Sequence, residues 1–232
     1  MAASKKPKKS KKASKVLLMI SGGPDSATLA KVVASTTGGA QIHGVYLRSG
    51  HPSDDKEIEA ASKILEGVGG RLEIIDISKT VSALGGKRVM IHSEASLLPL
   101  GNALALSIAS AYAVQIGAES LWLGLHRDDA DENAEYTQEF LDRFNELVEV
   151  GQSVQTLVRA PFLGLRKHEV FARGLRLRVD YASTWSCIRA GDSHCGDCGA
   201  CRARRRAFDL AGATDPTDYA MEPAALATAA SH

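Results

Sequence analysis

The sequence lacks any apolar run near the ~18 residues that a transmembrane helix requires. No apolar stretch follows its basic start either, so we expect no secretory signal and a cytoplasmic protein. The formal net charge is only +1 at pH 7, which gives no whole-protein field that would favour nucleic acid. With 44% hydrophobic and 24% charged residues, the composition is that of a soluble globular protein.

Both ends of the chain have a composition that cannot form a core. Residues 1–15 contain seven lysines and no acidic residue, which predicts a disordered tail. Residues 221–232 are a second low-complexity stretch, and we expect a flexible tail there as well. The folded part should therefore lie between them.

Apolar runs and helical patterns alternate through the first half of the chain. The runs typical of buried strands are residues 16–20, 42–46, 72–76 and 121–125, and helical patterns cover 25–35, 54–68 and 102–118. This alternation predicts an α/β fold with a Rossmann-like, doubly wound parallel sheet. Ligands of such sheets bind beyond the carboxyl ends of the strands.

The first strand is followed by a glycine-rich loop with the sequence SGGPDS. It is neither a P-loop of the G-x-x-x-x-G-K-[ST] type nor a G-x-G-x-x-G turn. Gly22 and Gly23 let backbone N–H groups approach an anion closely, while Ser21 and Ser26 add hydroxyl donors. Asp25 would repel phosphate unless it caps the next helix or meets magnesium. A turn without a ligand is the alternative reading.

The loop resembles the SGGxDS loop of the PP-loop ATP pyrophosphatases, which binds the pyrophosphate end of ATP. The resemblance implies ATP-binding residues at Ile20, Ser21, Gly22, Gly23, Asp25, Ser26, Ala27 and Thr28. It also implies that Mg²⁺ accompanies ATP and that Asp25 and Ser26 support catalysis.

All four cysteines lie within fifteen residues near the C-terminus, at Cys187, Cys195, Cys198 and Cys201. In a reducing compartment such a cluster is typical of a metal site and not of disulfides. Two-residue gaps let thiolates converge on one tetrahedral ion, so we expect one structural Zn²⁺ per chain. A redox pair, an iron–sulfur cluster, or His194 replacing one cysteine are the alternatives.

Together with the loop, several segments make the chain resemble the 7-cyano-7-deazaguanine synthase family from about Val16 to Tyr219. The segment APFLGLRKHEV is similar to the family's P-L-x-x-L-x-K-x-E pattern, and TWSC with the later cysteines is similar to its T-[WY]-S-C pattern. The resemblance implies a PP-loop (adenine nucleotide α-hydrolase-like) ATP-binding domain over residues 16–180. A small zinc-binding element would occupy residues 181–220.

The reaction that the resemblance implies has two stages. ATP adenylates the carboxylate of 7-carboxy-7-deazaguanine, ammonia displaces AMP to give an amide, and a second ATP activates the amide for dehydration to the nitrile. Lys167 would stabilise the charge at phosphorus, and its alternative role is a solvated lysine at a helix start. Family members are often homodimers, which is a further expectation.

The match fails where the family binds its substrate. The family pattern G-x-N-x-x-D-x-S-G-Y-P-D-C-R-x-x-F corresponds to GLHRDDADENAEYTQEF at residues 124–140, and the P-G-R-N motif corresponds to PLGN. Asp129, Glu135 and Asn102 remain as candidate substrate-binding residues. The acidic residues of this stretch could instead bind a second magnesium, or form a solvated acidic helix start.

These departures leave two other functions open. The chain could use the same ATP chemistry to join a deazaguanine or another carboxylate to a different acceptor, such as a protein or nucleotide amine. It could also be a non-catalytic nucleotide- or nucleic-acid-binding module. Against binding nucleic acid, the chain without its tail lysines carries a formal net charge of −6.

Overall fold

The computed structural model describes residues 14–85, 98–151, 156–189 and 191–221. Within them, five strands form one parallel sheet: β1 (Lys15–Met19), β2 (Gln41–Arg48), β3 (Arg71–Asp76), β4 (Ser120–Trp122) and β5 (Leu157–Arg159). Their spatial order is β3-β2-β1-β4-β5, with β1 at the centre. The predicted doubly wound α/β class is confirmed.

Eight helices are described, and three of them coincide with the predicted ones to within about two residues at each end. They are α1 (Pro24–Thr36), α2 (Asp54–Glu66), α3 (Ser78–Ala83), α4 (Gly101–Ile116), α5 (Arg127–Glu132), α6 (Gln138–Gly151), α7 (Lys167–Arg176) and α8 (Gly199–Leu210). The sequence patterns predicted α1, α2 and α4. None of the described helices is long and apolar enough to cross a membrane.

The strand predicted over residues 121–125 is wrong at its C-terminal end, because β4 ends at Trp122. Beyond it, Leu123 still donates its N–H to the Arg159 carbonyl oxygen over 2.8 Å. The chain then turns away from the sheet towards α1. A Cβ at Gly124 would lie 3.3 Å from the Asp25 carbonyl carbon, so the close approach to α1 favours glycine there.

Two apolar clusters cover the two faces of the sheet, and β1 contributes alternate residues to each. Leu17 and Met19 pack with α4 and α6 on one face, while Val16, Leu18 and Ile20 pack with α1, α2 and α7 on the other. This period-two division is what a central strand buried on both faces requires. The carboxyl ends of β1, β2 and β4 are left facing one edge of the sheet.

The predicted N-terminal tail over residues 1–15 is wrong at its last residue. Lys15 begins β1, and its ammonium group donates to the Ile116 carbonyl oxygen over 3.0 Å. Residues 1–13, and 222–232 of the predicted C-terminal tail, lie outside the described residues.

Candidate active site and metal centre

The loop between β1 and α1 passes tightly against the first turn of α2. Gly22 has a φ of +76°, and a Cβ there would lie 2.3 Å from the Glu57 carbonyl oxygen. Both the left-handed backbone and the lack of space require glycine at this position. Gly23 then precedes α1, and Pro24 takes the first helical position, where a missing N–H is harmless.

Two serine hydroxyls organise the loop. The Ser21 N–H donates to the Ser26 hydroxyl over 3.2 Å, and the two hydroxyl oxygens lie 3.1 Å apart. The Gly23 N–H in turn lies 3.4 Å from the Ser21 hydroxyl. These polar groups surround the N-terminus of α1, where the helix dipole favours an anion.

A cavity of about 290 Å³ opens beyond the carboxyl ends of β1, β2 and β4. Its wall includes Ser21, Gly23, Asp25 and Ser26 of the loop and first turn of α1. The rest of the wall comes from the end of β2, the start of α2, residues 123–132, Lys167, and two short stretches beside the cysteines. The cavity thus lies where ligands of parallel α/β sheets bind.

The predicted ATP-binding residues divide into two sets. Ile20, Ser21, Gly23, Asp25 and Ser26 line the cavity, whereas Gly22, Ala27 and Thr28 do not. Ala27 belongs to the apolar cluster against α1, and the Thr28 hydroxyl lies 2.8 Å from the Tyr181 hydroxyl. These last three residues therefore shape the loop without facing the cavity.

Asp25 and Lys167 meet across the cavity. Lys167 Nζ donates to Asp25 Oδ2 over 2.6 Å, and Asp25 Oδ1 is buried with no hydrogen-bond partner among the described residues. Burial lowers the pKa of Lys167, but the negative charges of Asp25 and Asp129 outweigh it and raise the pKa overall. The lysine is therefore charged at neutral pH. Of the two roles considered for Asp25, capping of α1 is not seen, because Gly23 precedes the helix without a side-chain cap.

His126 lies at the centre of this polar group. It is 3% exposed, and its Nε2 lies 3.2 Å from Lys167 Nζ. Burial lowers the pKa of His126 to about 4, so the ring is neutral at pH 7. Its Nδ1 lies 3.4 Å from the Asp129 backbone N–H as the N-cap of α5, and 3.3 Å from Asp129 Oδ2.

Asp129 also lines the cavity and is held by the backbone of the same turn. Its Oδ2 accepts the backbone N–H of His126 over 3.0 Å. Burial, and next the Asp25 charge, raise the pKa of Asp129 to about 7, although Lys167 opposes the shift. Asp128, beside it, accepts the Lys167 backbone N–H and an Arg166 N–H, both over 2.7 Å. The start of α5 is thereby tied to the start of α7.

Glu135 and Asn102 do not line the cavity. The Glu135 carboxylate accepts the backbone N–H groups of Asn102 and Ala103 over 2.9 and 3.1 Å, and thus caps the N-terminus of α4. The Asn102 side chain donates to the Glu135 carbonyl oxygen over 2.5 Å. The pair joins α4 to the segment before α6. The sequence predicts that Glu135 and Asn102 contact the substrate, whereas in the structure they contact each other at the start of α4.

A second buried acidic group lines the cavity at the end of β2. The Tyr46 hydroxyl lies 2.8 Å from both Asp54 Oδ1 and Glu57 Oε2. Asp54 also accepts the N–H groups of Gly50 and His51, which fixes the turn between β2 and α2. Sequence reasoning missed this group, because its members appear in the sequence only as a strand tyrosine and ordinary acids at a helix start.

The four cysteines converge at one point. All four Sγ atoms lie within 4.8 Å of one another, and the Cys195 and Cys201 sulfurs are 3.9 Å apart. Bonds of about 2.3 Å to a tetrahedral ion imply sulfur–sulfur edges of about 3.8 Å. Backbone N–H groups of Cys195, Cys198 and Cys201 donate to sulfurs of the group over 3.3–3.4 Å, which favours thiolates. The group can hold a metal ion.

His194 does not join this group. Its Nε2 accepts the Ser186 N–H over 3.0 Å, and its ring packs against Trp185 with centroids 4.3 Å apart. The histidine alternative to a fourth cysteine therefore has no support in the geometry.

Comparison with known proteins assigns the chain to a family. A model described as queuosine biosynthesis protein QueC matches residues 15–212. The chain belongs to the QueC family. The 7-cyano-7-deazaguanine synthase of Methanothrix thermoacetophila is 32% identical over 222 residues, covering 88% of this chain and 98% of that protein. The synthase of Pseudoalteromonas atlantica is 31% identical over 217 residues, with the same coverage of both chains.

A solved structure extends the fold comparison. The U34-tRNA thiolase NcsA of Methanococcus maripaludis, determined with its [4Fe-4S] cluster, aligns with a TM-score of 0.50. The alignment covers 74% of this chain and 59% of the thiolase chain, and the aligned sequences are 17% identical. At that identity the likeness concerns the fold alone, so its cluster says nothing about the metal of this chain.

The site contains one residue that the sequence analysis did not single out. His126 stands where the family pattern has asparagine, yet it is buried between Lys167 and Asp129. The available signal was the replacement of the pattern's asparagine by histidine, directly after an apolar stretch and three residues before Asp129. Asp129, the predicted substrate-binding residue, lines the cavity.

Proposed function

We propose that this chain activates a carboxylate by adenylation with ATP and converts 7-carboxy-7-deazaguanine to 7-cyano-7-deazaguanine. The observation that carries the proposal is the SGGPDS loop, whose hydroxyls and helix N-terminus lie opposite the charged Lys167 in one cavity. Membership of the family supplies the substrate class. A carboxylate is a poor acyl donor, and adenylation gives it AMP as a leaving group.

The chemistry balances over two ATP molecules. A carboxylate oxygen attacks the α-phosphorus and pyrophosphate leaves, and then ammonia displaces AMP to form the amide. In the second stage the amide oxygen attacks another α-phosphorus, and loss of AMP with a proton from nitrogen gives the nitrile. Each AMP therefore carries away one oxygen of the original carboxylate.

The residues of the loop would serve this reaction by binding and positioning. The Ser21 and Ser26 hydroxyls and the first N–H groups of α1 suit the departing pyrophosphate. Lys167 would neutralise charge that develops at phosphorus, an effect of roughly 2–4 kcal/mol for one well-placed donor. His126 and Asp25 hold its ammonium group in place through their contacts with Nζ.

Magnesium suits the acidic side of the cavity. Asp25 Oδ1, buried and without a hydrogen-bond partner among the described residues, is an oxygen ligand of the kind that Mg²⁺ prefers. Asp128, Asp129 and Glu132 offer further carboxylate oxygens on the same wall. When bound, the ion would neutralise phosphate charge, and Asp25 is the residue that we expect to hold it.

For the cysteine group we infer one structural zinc ion. Four sulfur donors complete a tetrahedral shell and leave no open position for substrate. Elemental analysis of the purified protein should find about one zinc per chain, whereas iron with a visible charge-transfer absorption would contradict this assignment.

A second candidate function is the transfer of the activated acyl group to an amine other than ammonia. It is favoured by the acidic stretch 126–132, which presents three carboxylates to the cavity and runs into the residues 131–134 that stand in place of the family's S-G-Y-P core. Carboxylates suit a cationic amine better than they suit the acid substrate. The wild-type protein would then turn over carboxy-deazaguanine to the adenylate and stop before the nitrile.

Isotope transfer tests the adenylation proposal. Carboxy-deazaguanine labelled with ¹⁸O in both carboxylate oxygens is incubated with ATP, Mg²⁺, ammonium and the protein. We expect one ¹⁸O in each AMP formed, and Lys167→Met should suppress AMP release. The variant Arg176→Met, at an exposed position of the same helix, is the control. Unlabelled AMP, or release of ADP and phosphate, would refute adenylation of the carboxylate.

A further inference from the structure

The cysteine-bearing segment forms part of the wall of the proposed nucleotide cavity. Trp185 and Ser186 directly precede the first cysteine, and Ala200 and Ala203 flank the last one in α8. All four residues line the cavity. Residues of the cavity wall are therefore sequence neighbours of both the first and the last of the four cysteines.

Trp185 connects the cysteine group to the glycine-rich loop. Its backbone N–H donates to the Gly22 carbonyl oxygen over 2.9 Å, and its indole N–H donates to the Cys187 carbonyl oxygen over 2.7 Å. Its ring packs on His194. Gly22 abuts α2 on its other side, so a shift of Trp185 removes the hydrogen bond that ties this part of the loop to the cysteine-bearing segment.

The rest of the C-terminal element is held without the cysteines. The Arg204 side chain is fully buried, and it donates to the Tyr181 carbonyl oxygen, the Thr184 hydroxyl and the Asp215 carboxylate over 2.8, 2.7 and 3.1 Å. Phe208 adds an aromatic contact with Tyr181 at 5.2 Å between centroids. Loss of metal should therefore loosen the chain between Thr184 and α8, while α8 stays docked.

We propose that Trp185 is a positioning residue through which metal bound by the four cysteines sets the geometry of the ATP loop. The inference rests on the proposed function, because it takes the loop to bind ATP. With metal bound, Cys187 and Cys195 are fixed, the Trp185 N–H stays on Gly22, and the loop is ready for the nucleotide. Without metal, the loop loses that contact and binds ATP more weakly, although the sheet is intact.

The test measures nucleotide binding in metal-loaded and metal-free protein. The full chain carries Trp122→Phe, so that Trp185 is the single tryptophan and its emission reports on its surroundings. A chelator removes the metal, far-UV circular dichroism checks the fold, and α,β-methylene-ATP with Mg²⁺ is titrated by calorimetry. We expect at least tenfold weaker binding without metal and a shifted Trp185 emission, both restored by Zn²⁺.

Variants at position 185 separate this coupling from general destabilisation. Trp185→Ala loses the indole contacts, so its loaded and metal-free forms should bind the analogue equally and weakly. Trp185→Tyr keeps a planar ring, as the family's T-[WY]-S-C pattern allows, and should retain the tenfold ratio. Equal binding by loaded and metal-free wild-type protein would overturn the coupling and leave the proposed function standing. No binding by the loaded protein would instead refute the ATP site, and the coupling with it.

Discussion

Replacing Asp129 by asparagine should stabilise the fold while impairing the reaction. The Asp129 carboxyl is buried beside Asp25, and both effects raise its pKa to about 7. Ionisation of Asp129 is therefore unfavourable in the folded protein, whereas in the unfolded chain the carboxyl ionises at its ordinary pKa. An asparagine keeps the oxygen that accepts the His126 N–H and has no charge to bury.

The size of the effect follows from the difference between the two pKa values of Asp129. The unfolded-state value is 3.8 and the folded value about 7, a difference of about three units at 1.36 kcal/mol each. Because the folded pKa is raised, wild-type stability falls as pH rises from about 4 to about 7 and then levels off. The variant lacks this loss, so its advantage should be about 2 kcal/mol at pH 5 and about 4 at pH 8.

Urea unfolding of both proteins at pH 5, 6, 7 and 8, without magnesium, measures that advantage. His126 has the opposite tendency, because burial lowers its pKa and stability falls as the pH drops below 6.5. Because His126 contacts Asp129, the comparison at pH 7 and 8, where the ring is mostly neutral in both the folded and the unfolded chain, is the one that isolates the carboxyl group. Asp142→Asn, on the exposed side of α6, is the control. A pH-independent difference, or a variant less stable than wild type at pH 8, would refute the reasoning.

Three further substitutions test other parts of the site. Ser26→Ala removes a hydroxyl that orders the loop, so turnover should fall roughly 30- to 1000-fold in steady-state assays, whereas Ser35→Ala at the exposed end of α1 should not matter. Cys198→Ser should abolish stoichiometric metal and yield insoluble or less stable protein, measured by elemental analysis and thermal unfolding. Arg204→Met should cost about 3–5 kcal/mol in urea unfolding, because it removes the cation beside the nearly buried Asp215 carboxylate and the bonds to Tyr181 and Thr184, and Arg206→Met on the exposed face should cost little.

Each of these expectations has a contrary outcome. Wild-type rates from Ser26→Ala at saturating ATP would remove the loop from the reaction. A Cys198→Ser protein with full metal content and unchanged melting would show that this cysteine is no ligand. Equal stability of the two arginine variants would mean that the buried guanidinium does not hold α8 in place.

The central strands and their helices could be predicted from the sequence because their signals are local. β1 is a nearly continuous apolar run, β2 has an apolar centre, and α1, α2 and α4 have helical spacing. β5 has only three residues and α5 only six, which is too short for periodicity to register. The loop and the cysteines were recognisable for a similar reason, since both are compact motifs with fixed spacing.

The contacts between distant segments could not be read in advance. Lys167 and Asp25 are 142 residues apart, and only the fold brings their side chains to 2.6 Å. Glu135 was expected at the substrate, but its carboxylate caps α4, because the buried N-terminus of that helix offers the Asn102 and Ala103 N–H groups nearby. The burial of His126 could not be predicted either, because α7, which brings Lys167 beside it, lies about 40 residues further along the chain.

Product mass spectrometry tests the proposed activity most directly. The protein is incubated with 7-carboxy-7-deazaguanine, excess ATP, Mg²⁺ and ammonium, and the purine products are followed together with AMP and pyrophosphate. The account predicts the nitrile, with two AMP and two pyrophosphate released per nitrile formed. Carboxy-deazaguanine recovered unchanged, with no substrate-dependent pyrophosphate, would contradict it.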